Sequence, residues 1–269
     1  YPAIADMNGD GAAEVTIGSV ILNGADGSQI GRGAYGVGAG PYYPFYGEHY
    51  GSISVPIDLD GDGQVELVTG NAAYNMDGSP KWYNGGPDGL VAVADFDGDG
   101  QGEIVRTGGM TVQGLETDGT PQWEVNLSSN DAYMAIGTPA IDDLDGDGVP
   151  DIVFAAQNQL IAMEWGGAIK WTQWVSDYSG AAGPSLFDFE MDGFPEVLYA
   201  DETEIRFFNG LDGSEKYASS QHGSVTILET PTVADVDGDG QVEIIVGHCA
   251  FDFMNTGVTV FGDANQSWP

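Results

Sequence analysis

A nine-residue phrase rich in side-chain oxygens occurs six times in this chain. The first copy is Asp6-Met7-Asn8-Gly9-Asp10-Gly11-Ala12-Ala13-Glu14, and the others begin at Asp58, Asp95, Asp143, Asp188 and Asp235. Positions 1, 3 and 5 hold Asp6, Asn8 and Asp10; Asp58, Asp60 and Asp62; Asp95, Asp97 and Asp99; Asp143, Asp145 and Asp147; Asp188, Glu190 and Asp192; and Asp235, Asp237 and Asp239. Position 9 is Glu14, Glu66, Glu103, Asp151, Glu196 or Glu243. In a tight loop the three alternate side chains turn toward one centre. Position 7 (Ala12, Gln64, Gln101, Val149, Phe194 and Gln241) can add a backbone carbonyl, and position 9 a further, bidentate carboxylate. An all-oxygen set of this size suits a hard cation, and calcium takes about 6–8 oxygens. The phrase therefore predicts Ca²⁺ in up to six loops, with these residues as ligands.

Position 6 is glycine in every copy, which permits the positive φ that wraps a chain about an ion. The EF-hand alternative fails at position 12, where a bidentate Glu is required. Ile17, Thr69, Arg106, Phe154, Tyr199 and Val246 stand there. One such phrase reads equally well as a solvated Asp-Gly turn; six in register do not. Two copies depart from the pattern. Asn8 lowers the charge of the first, and Met191 and Glu190 replace the usual Gly and Asp of the fifth.

The elements that must hold these loops are short strands. Before each loop comes a small apolar run such as Pro2-Ala3-Ile4-Ala5 or Val91-Ala92-Val93-Ala94, and proline is acceptable at a strand's first residue. After it comes a run such as Ile152-Val153-Phe154. A third phrase follows in most repeats: Asp77-Gly-Ser-Pro-Lys-Trp82, Asp118-Gly-Thr-Pro-Gln-Trp123, Gly167-Ala-Ile-Lys-Trp171 and Asp212-Gly-Ser-Glu-Lys-Tyr217, a hairpin signal ending in an aromatic that packs between units. Helical periodicity is missing throughout. Units of 37 to 52 residues with about four strands each predict an all-β fold, a β-propeller of about six four-stranded blades. The blades are bounded near residues 1–53, 54–90, 91–138, 139–183, 184–230 and 231–269, forming one domain over 1–269, with a seventh blade only if sequence is missing.

The sequence resembles the FG-GAP/VCBS repeat family, whose calcium loops also occur in integrin α-subunit propellers. The likeness extends through all six loops. It implies calcium in the loop joining the first two strands of each blade. The family's Phe-Gly and Gly-Ala-Pro signatures are imperfect here, as in Gly137-Thr138-Pro139. Such propellers serve in adhesion, as lectins and as scaffolds of polysaccharide-degrading enzymes, so the resemblance leaves activity open.

Composition narrows the partners. Among 269 residues, 42 are acidic and 6 basic, for a net charge of −36. Nucleic acid and anionic membrane surfaces are repelled by such a chain. No apolar run nears the roughly 20 residues that span a bilayer, so no membrane insertion is expected. The lone Cys249 excludes an intrachain disulfide, and its pairing with His248 reads as incidental. Tyr1 in place of an initiator methionine suggests a processed or trimmed form.

Catalytic phrases are hard to find. Glu48, Asp142, Glu164, Asp201, Glu202 and Glu204 lie outside the loops in no glycosidase pattern. A lyase on acidic polysaccharides needs cations to neutralise the uronate, from an inventory of Arg32, Lys81, Arg106, Lys170, Arg206 and Lys216. Gly31-Arg-Gly-Ala-Tyr-Gly36 matches a dinucleotide fingerprint but opens no helix. The main departure from the repeat is the aromatic segment with Tyr35, Tyr42, Tyr43, Phe45, Tyr46, His49 and Tyr50. It either packs over the first blade or stacks against a carbohydrate or protein partner, with Tyr35, Tyr42, Tyr43, Tyr46 and Tyr50 as the binding residues. Trp165 and Trp174 are weaker candidates of the same kind. Asn126-Leu-Ser128 and Asn265-Gln-Ser267 are glycosylation sequons.

These readings combine into a non-catalytic adhesion, recognition or cell-surface structural module, extracellular or at the cell surface. A lyase or other carbohydrate-active scaffold and a self-associating surface-layer or filament subunit are the alternatives. Extracellular modules commonly bind calcium with Kd of about 10⁻⁴–10⁻³ M. At about 1 mM calcium each filled site then adds about 0.4–1.4 kcal/mol.

Overall fold

The computed structural model describes residues 2–40, 42–43, 48–49, 51–127, 135–224, 226, 229–249 and 256–262. Among these residues every regular element is a β-strand. The first sheet runs β1 (Pro2–Ala5), β2 (Glu14–Ile17), β3 (Val20–Asn23) and β4 (Gln29–Arg32). A separate pair, β5 (Tyr42–Tyr43) and β6 (Glu48–His49), follows. The second sheet is β7 (Val55–Ile57), β8 (Glu66–Val68), β9 (Ala72–Tyr74) and β10 (Pro80–Tyr83); the third is β11 (Leu90–Ala94), β12 (Glu103–Gly108), β13 (Thr111–Leu115) and β14 (Pro121–Asn126). The fourth is β15 (Ala140–Asp142), β16 (Asp151–Ala156), β17 (Gln159–Glu164) and β18 (Ile169–Trp174). The fifth is β19 (Ser185–Phe187), β20 (Glu196–Ala200), β21 (Ile205–Asn209) and β22 (Glu215–Ser219); the sixth is β23 (Thr232–Ala234), β24 (Glu243–Cys249) and β25 (Thr256–Phe261).

All six sheets are antiparallel meanders in sequence order, the blades of a β-propeller fold. The sixth has three strands among the described residues, and its weak fourth-strand signal, ending at Trp268, lies outside them. Proline does less than expected at strand starts. Of the four prolines that precede a loop, Pro2 alone opens a strand, while Pro139, Pro184 and Pro231 stand one residue ahead of β15, β19 and β23. Without an N–H, proline leaves the first ladder bond to its successor.

The chain forms two compact units. One holds the first three sheets with residues 165–167, and the other holds the last three. Within each, the core is a series of seams between successive sheets. In the first unit, Met7 and Ile21 pack with Leu67, Ala72 and Tyr74, and Leu59 and Val68 with Val91, Ile104 and Leu115. In the second, Leu144 and Val153 pack with Val197, Tyr199 and Phe208, and Leu198 and Phe207 with Ile244 and Val246. The second strands are covered on both faces, which is why β16 and β20 are buried along their full length and read as unbroken apolar runs.

Trp82 and Trp171 join consecutive blades, as expected, whereas Tyr217 meets Phe207 of its own sheet at 5.7 Å. Trp82 Nε1 donates to Thr117 O at 2.8 Å, and Trp171 Nε1 to Gly210 O at 2.7 Å. Each ring lies on a hairpin glycine of the next blade. A Cβ at Gly119 or Gly213 would come within 2.6 Å of the ring above it. Trp165, considered above for recognition, is a packing residue: it stacks on Phe96 at 4.4 Å and meets Trp123 edge-on at 5.2 Å.

Candidate metal centres

Each phrase is the connection between the first two strands of its sheet. The residue before position 1 pairs with position 9 in all six: Ala5 with Glu14, Ile57 with Glu66, Ala94 with Glu103, Asp142 with Asp151, Phe187 with Glu196 and Ala234 with Glu243. Antiparallel register thus closes a loop of fixed length and brings both of its ends together.

The same hydrogen bonds hold every copy. The position-1 carboxylate accepts from two loop amides, one of them the position-6 glycine; Asp95 accepts from Gly98 N at 2.7 Å and Gly100 N at 2.9 Å. The position-5 carboxylate accepts the position-7 amide, as Asp99 does from Gln101 N at 2.8 Å. Gly100 and its five equivalents have φ of 87–92°, the left-handed wrap predicted for them. At position 4 five copies have Gly with positive φ, and Met191 adopts the same turn at φ 55° with its side chain exposed.

Position 9 is the most uniform feature. Glu14, Glu66, Glu103, Asp151, Glu196 and Glu243 are only 2–7 % exposed. One oxygen of each accepts the backbone N–H of position 2, at 2.7–3.2 Å. Position 2 is itself an anchor. Met7, Leu59, Phe96, Leu144 and Phe189 are buried, and four of them sit in the seam with the following blade; Val236 of the sixth loop is exposed.

The ligand oxygens converge in four loops. One carboxylate oxygen from each of Asp58, Asp60 and Asp62 lies within 4.8 Å of the others. The same holds for Asp95, Asp97 and Asp99, for Asp143, Asp145 and Asp151, and for Asp235, Asp237 and Asp239. In the second loop Asp60 Oδ1 is buried without a hydrogen-bond partner, an oxygen that a cation would satisfy. The donor set therefore fits calcium. In the first loop Asn8 instead gives its amide to Asp10 Oδ2 at 3.1 Å and accepts Asp10 N at 2.8 Å.

Sequence reasoning missed three lysines. Lys81 on β10 contacts Asp60 at 2.6 Å and Glu66 at 2.9 Å. Lys170 on β18 contacts Asp145 at 2.5 Å and Asp151 at 2.8 Å. Lys216 on β22 contacts Glu190 at 2.9 Å and Glu196 at 2.6 Å. Each lysine comes from the fourth strand of its own sheet and bridges positions 3 and 9. The available signal was a Lys just before the aromatic of the third phrase, where the third blade has Gln122 and the first has Ile30. The hydrogen bond from Lys81 holds the Asp60 carboxyl below the usual carboxylate range, and Lys170 does the same to Asp145. Burial pulls the three ammonium groups down, but their paired carboxylates outweigh it and keep them above the ordinary lysine value. Burial raises Asp151 in spite of Lys170, and it raises Glu103, which has no lysine and stands near Asp97, Glu116 and Asp95.

The aromatic segment is visible in part. Tyr42 pairs with His49 and Tyr43 with Glu48. The side chains of Tyr42 and Tyr43, and all of Tyr46 and Tyr50, lie outside the described residues. Tyr35 stacks on Tyr83 of the second sheet, rings 4.0 Å apart and 5° from parallel, and its N–H donates to Tyr74 Oη at 3.0 Å. Trp174 is 64 % exposed.

The FG-GAP-like repeat model matches residues 143–199 and 188–246. The other blades share their loop, register and position-9 bond. No curated protein matches the sequence. Among solved structures, the biofilm matrix protein Bap1 of V. cholerae is similar over 100% of this chain and 69% of its own, at 16% identity and a TM-score of 0.76. The Bacillus licheniformis rhamnogalacturonan lyase PL11 is similar over 95% of this chain, at 19% identity and a TM-score of 0.54, and this chain spans 58% of its length. BamB from Moraxella catarrhalis is similar over 96% of this chain and 72% of its own, at 14% identity and a TM-score of 0.54. At these identities the likeness shows the propeller fold alone.

Proposed function

We propose that this protein is an extracellular, calcium-binding β-propeller that acts without catalysis as an adhesive or structural module. The observation that carries this reading is the convergence of three carboxylates in four loops that share one hydrogen-bonded frame. Calcium would be held by positions 1, 3 and 5 and the position-7 carbonyl, with position 9 where an oxygen is free. It would supply positive charge to the acidic loops, most of all to those without a bridging lysine. Sites of millimolar affinity fill outside cells, and each filled site adds to a domain's small net stability. The match of the whole chain to a biofilm matrix protein supports a structural role among the adhesive ones. Calcium-dependent self-association and binding of carbohydrate or protein through Tyr35 and its neighbours belong to this reading.

The test is thermal unfolding of the whole chain with about 1 mM calcium and with excess EGTA. The expected result is a melting temperature several degrees lower in EGTA. Coincident curves would overturn the proposal.

A second reading, the scaffold of a polysaccharide lyase, is favoured by the likeness to rhamnogalacturonan lyases. Against it, Lys81, Lys170, Arg206 and Lys216 are already paired with carboxylates, and Arg106 is buried on β12, leaving few cations for a uronate. Release of unsaturated sugars from rhamnogalacturonan by the purified chain would establish the lyase reading.

A further inference from the structure

Apart from the first, with its Asn8, the loops fall into two kinds, and the difference is a cation supplied by the chain. In the second, fourth and fifth blades a lysine bridges positions 3 and 9 at 2.5–2.9 Å. Among the described residues no lysine or arginine reaches the loops beginning at Asp95 and Asp235. We propose that Lys81, Lys170 and Lys216 are resident cations that withdraw the position-9 carboxylate from calcium, so that these three blades hold their loops without the metal and the third and sixth depend on it. This inference rests on the calcium reading above.

Three observations carry it. First, the lysines arise at one equivalent place on three separate fourth strands and make the same pair of contacts, so the arrangement is built by the repeat. Second, with the position-2 amide they engage the buried ligand, on both oxygens in the second and fifth loops and on one in the fourth. Glu66 accepts from Leu59 N at Oε2 and from Lys81 at Oε1; Glu196 accepts from Phe189 N at Oε2 and from Lys216 at Oε1. Asp151 spends Oδ2 on both Leu144 N and Lys170. By contrast Glu103 has only the Phe96 amide as a donor among the described residues, through Oε2. Third, the chemistry is exclusive. A buried carboxylate needs a cation or donors, and an ammonium provides both. Once it is there, a divalent ion a few ångströms away meets a like charge. Positions 1, 3 and 5 of the second loop still converge, and Asp60 Oδ1 still lacks a partner. Lysine therefore weakens that site for calcium and leaves the oxygens of positions 1, 3 and 5 in place.

The experiment is calcium titration by calorimetry on the full chain, with melting temperatures in EGTA and in calcium, for the parent, Lys170→Met, the triple variant at Lys81, Lys170 and Lys216, and Gln122→Lys. The parent is expected to show a tighter and a weaker class of sites. Lys170→Met should move one site from the weaker class to the tighter, by about tenfold or more, and widen the gap between the two melting temperatures. Gln122→Lys should remove one tight site and narrow that gap. Lysine variants that keep the parent's affinities and lose equal stability in EGTA and in calcium would overturn the proposal. If the methionine variants do not fold, Gln122→Lys decides, because an unchanged isotherm rejects the exclusion. A parent that binds no calcium would sink the calcium reading itself, an outcome distinct from a parent that binds calcium indifferently to its lysines.

Discussion

The loops of the third and fourth blades contain the same phrase and the same frame. Asp95 and Asp143 each tie down a position-4 and a position-6 amide, and Glu103 and Asp151 each accept the amide of position 2. They differ in how the buried carboxylate is neutralised. In the fourth blade Lys170 reaches it from β18, whereas in the third the equivalent residue is Gln122 and the acid is left to its single amide. The comparison teaches that the loop's geometry and its charge balance are separable. Backbone hydrogen bonds set the first, and a single side chain on a distant strand sets the second.

The largest effect should come from breaking the pair in the fourth blade. Asp151→Ala leaves the Leu144 amide without its acceptor in a buried place and Lys170 with Asp145 as its one remaining carboxylate. It should cost about 1–3 kcal/mol in chemical denaturation, with or without calcium. In the third blade, Asp97→Asn with Asp99→Asn should cost about 1 kcal/mol at 1 mM calcium and nothing in EGTA, since only metal binding is lost. A loss of equal size in EGTA would show that the asparagine oxygens do not replace the carboxylates in accepting the Asp99 and Gln101 amides. Glu103→Gln keeps an acceptor for Phe96 N while removing a buried charge. It should raise the melting temperature slightly in EGTA and lower it in calcium, and a fall in both conditions would erase the distinction between the blades. The smallest change is expected at Met191. Met191→Gly relieves a positive φ in an exposed turn and should stabilise by up to about 1 kcal/mol in either condition, as read from the denaturation midpoint.

Much of this was legible from residue spacing because it is local. The nine-residue phrase contains its own amide donors, so loop position, the positive φ of Gly100 and its equivalents, and the flanking strands all follow from one short segment. The packing of Trp82 and Trp171 was legible because the aromatic recurs once per unit. The lysine bridges were not. Lys170 stands 25 residues from Asp145 and 19 from Asp151, and Lys216 stands 20 from Glu196, so the contacts exist only once four strands are in register. In a list of six basic residues they read as cations available to a uronate. Trp165 was misjudged for a related reason. It lies outside the repeated position, and its stacking on Phe96 depends on how the turn at residues 165–167 packs onto the third blade's loop.

The tryptophan-on-glycine contacts have a consequence for how stability spreads. Trp82 reaches only 35 residues ahead and Trp171 only 39, each to the very next blade. The apolar seams likewise join consecutive sheets. Couplings of this kind make a molecule behave like a row of neighbours, where a perturbation fades with each step along the chain. An ion gained or lost at Asp95 should then register first in the amide exchange of the third blade, then of the second and last of the first, as a gradient of protection within that unit.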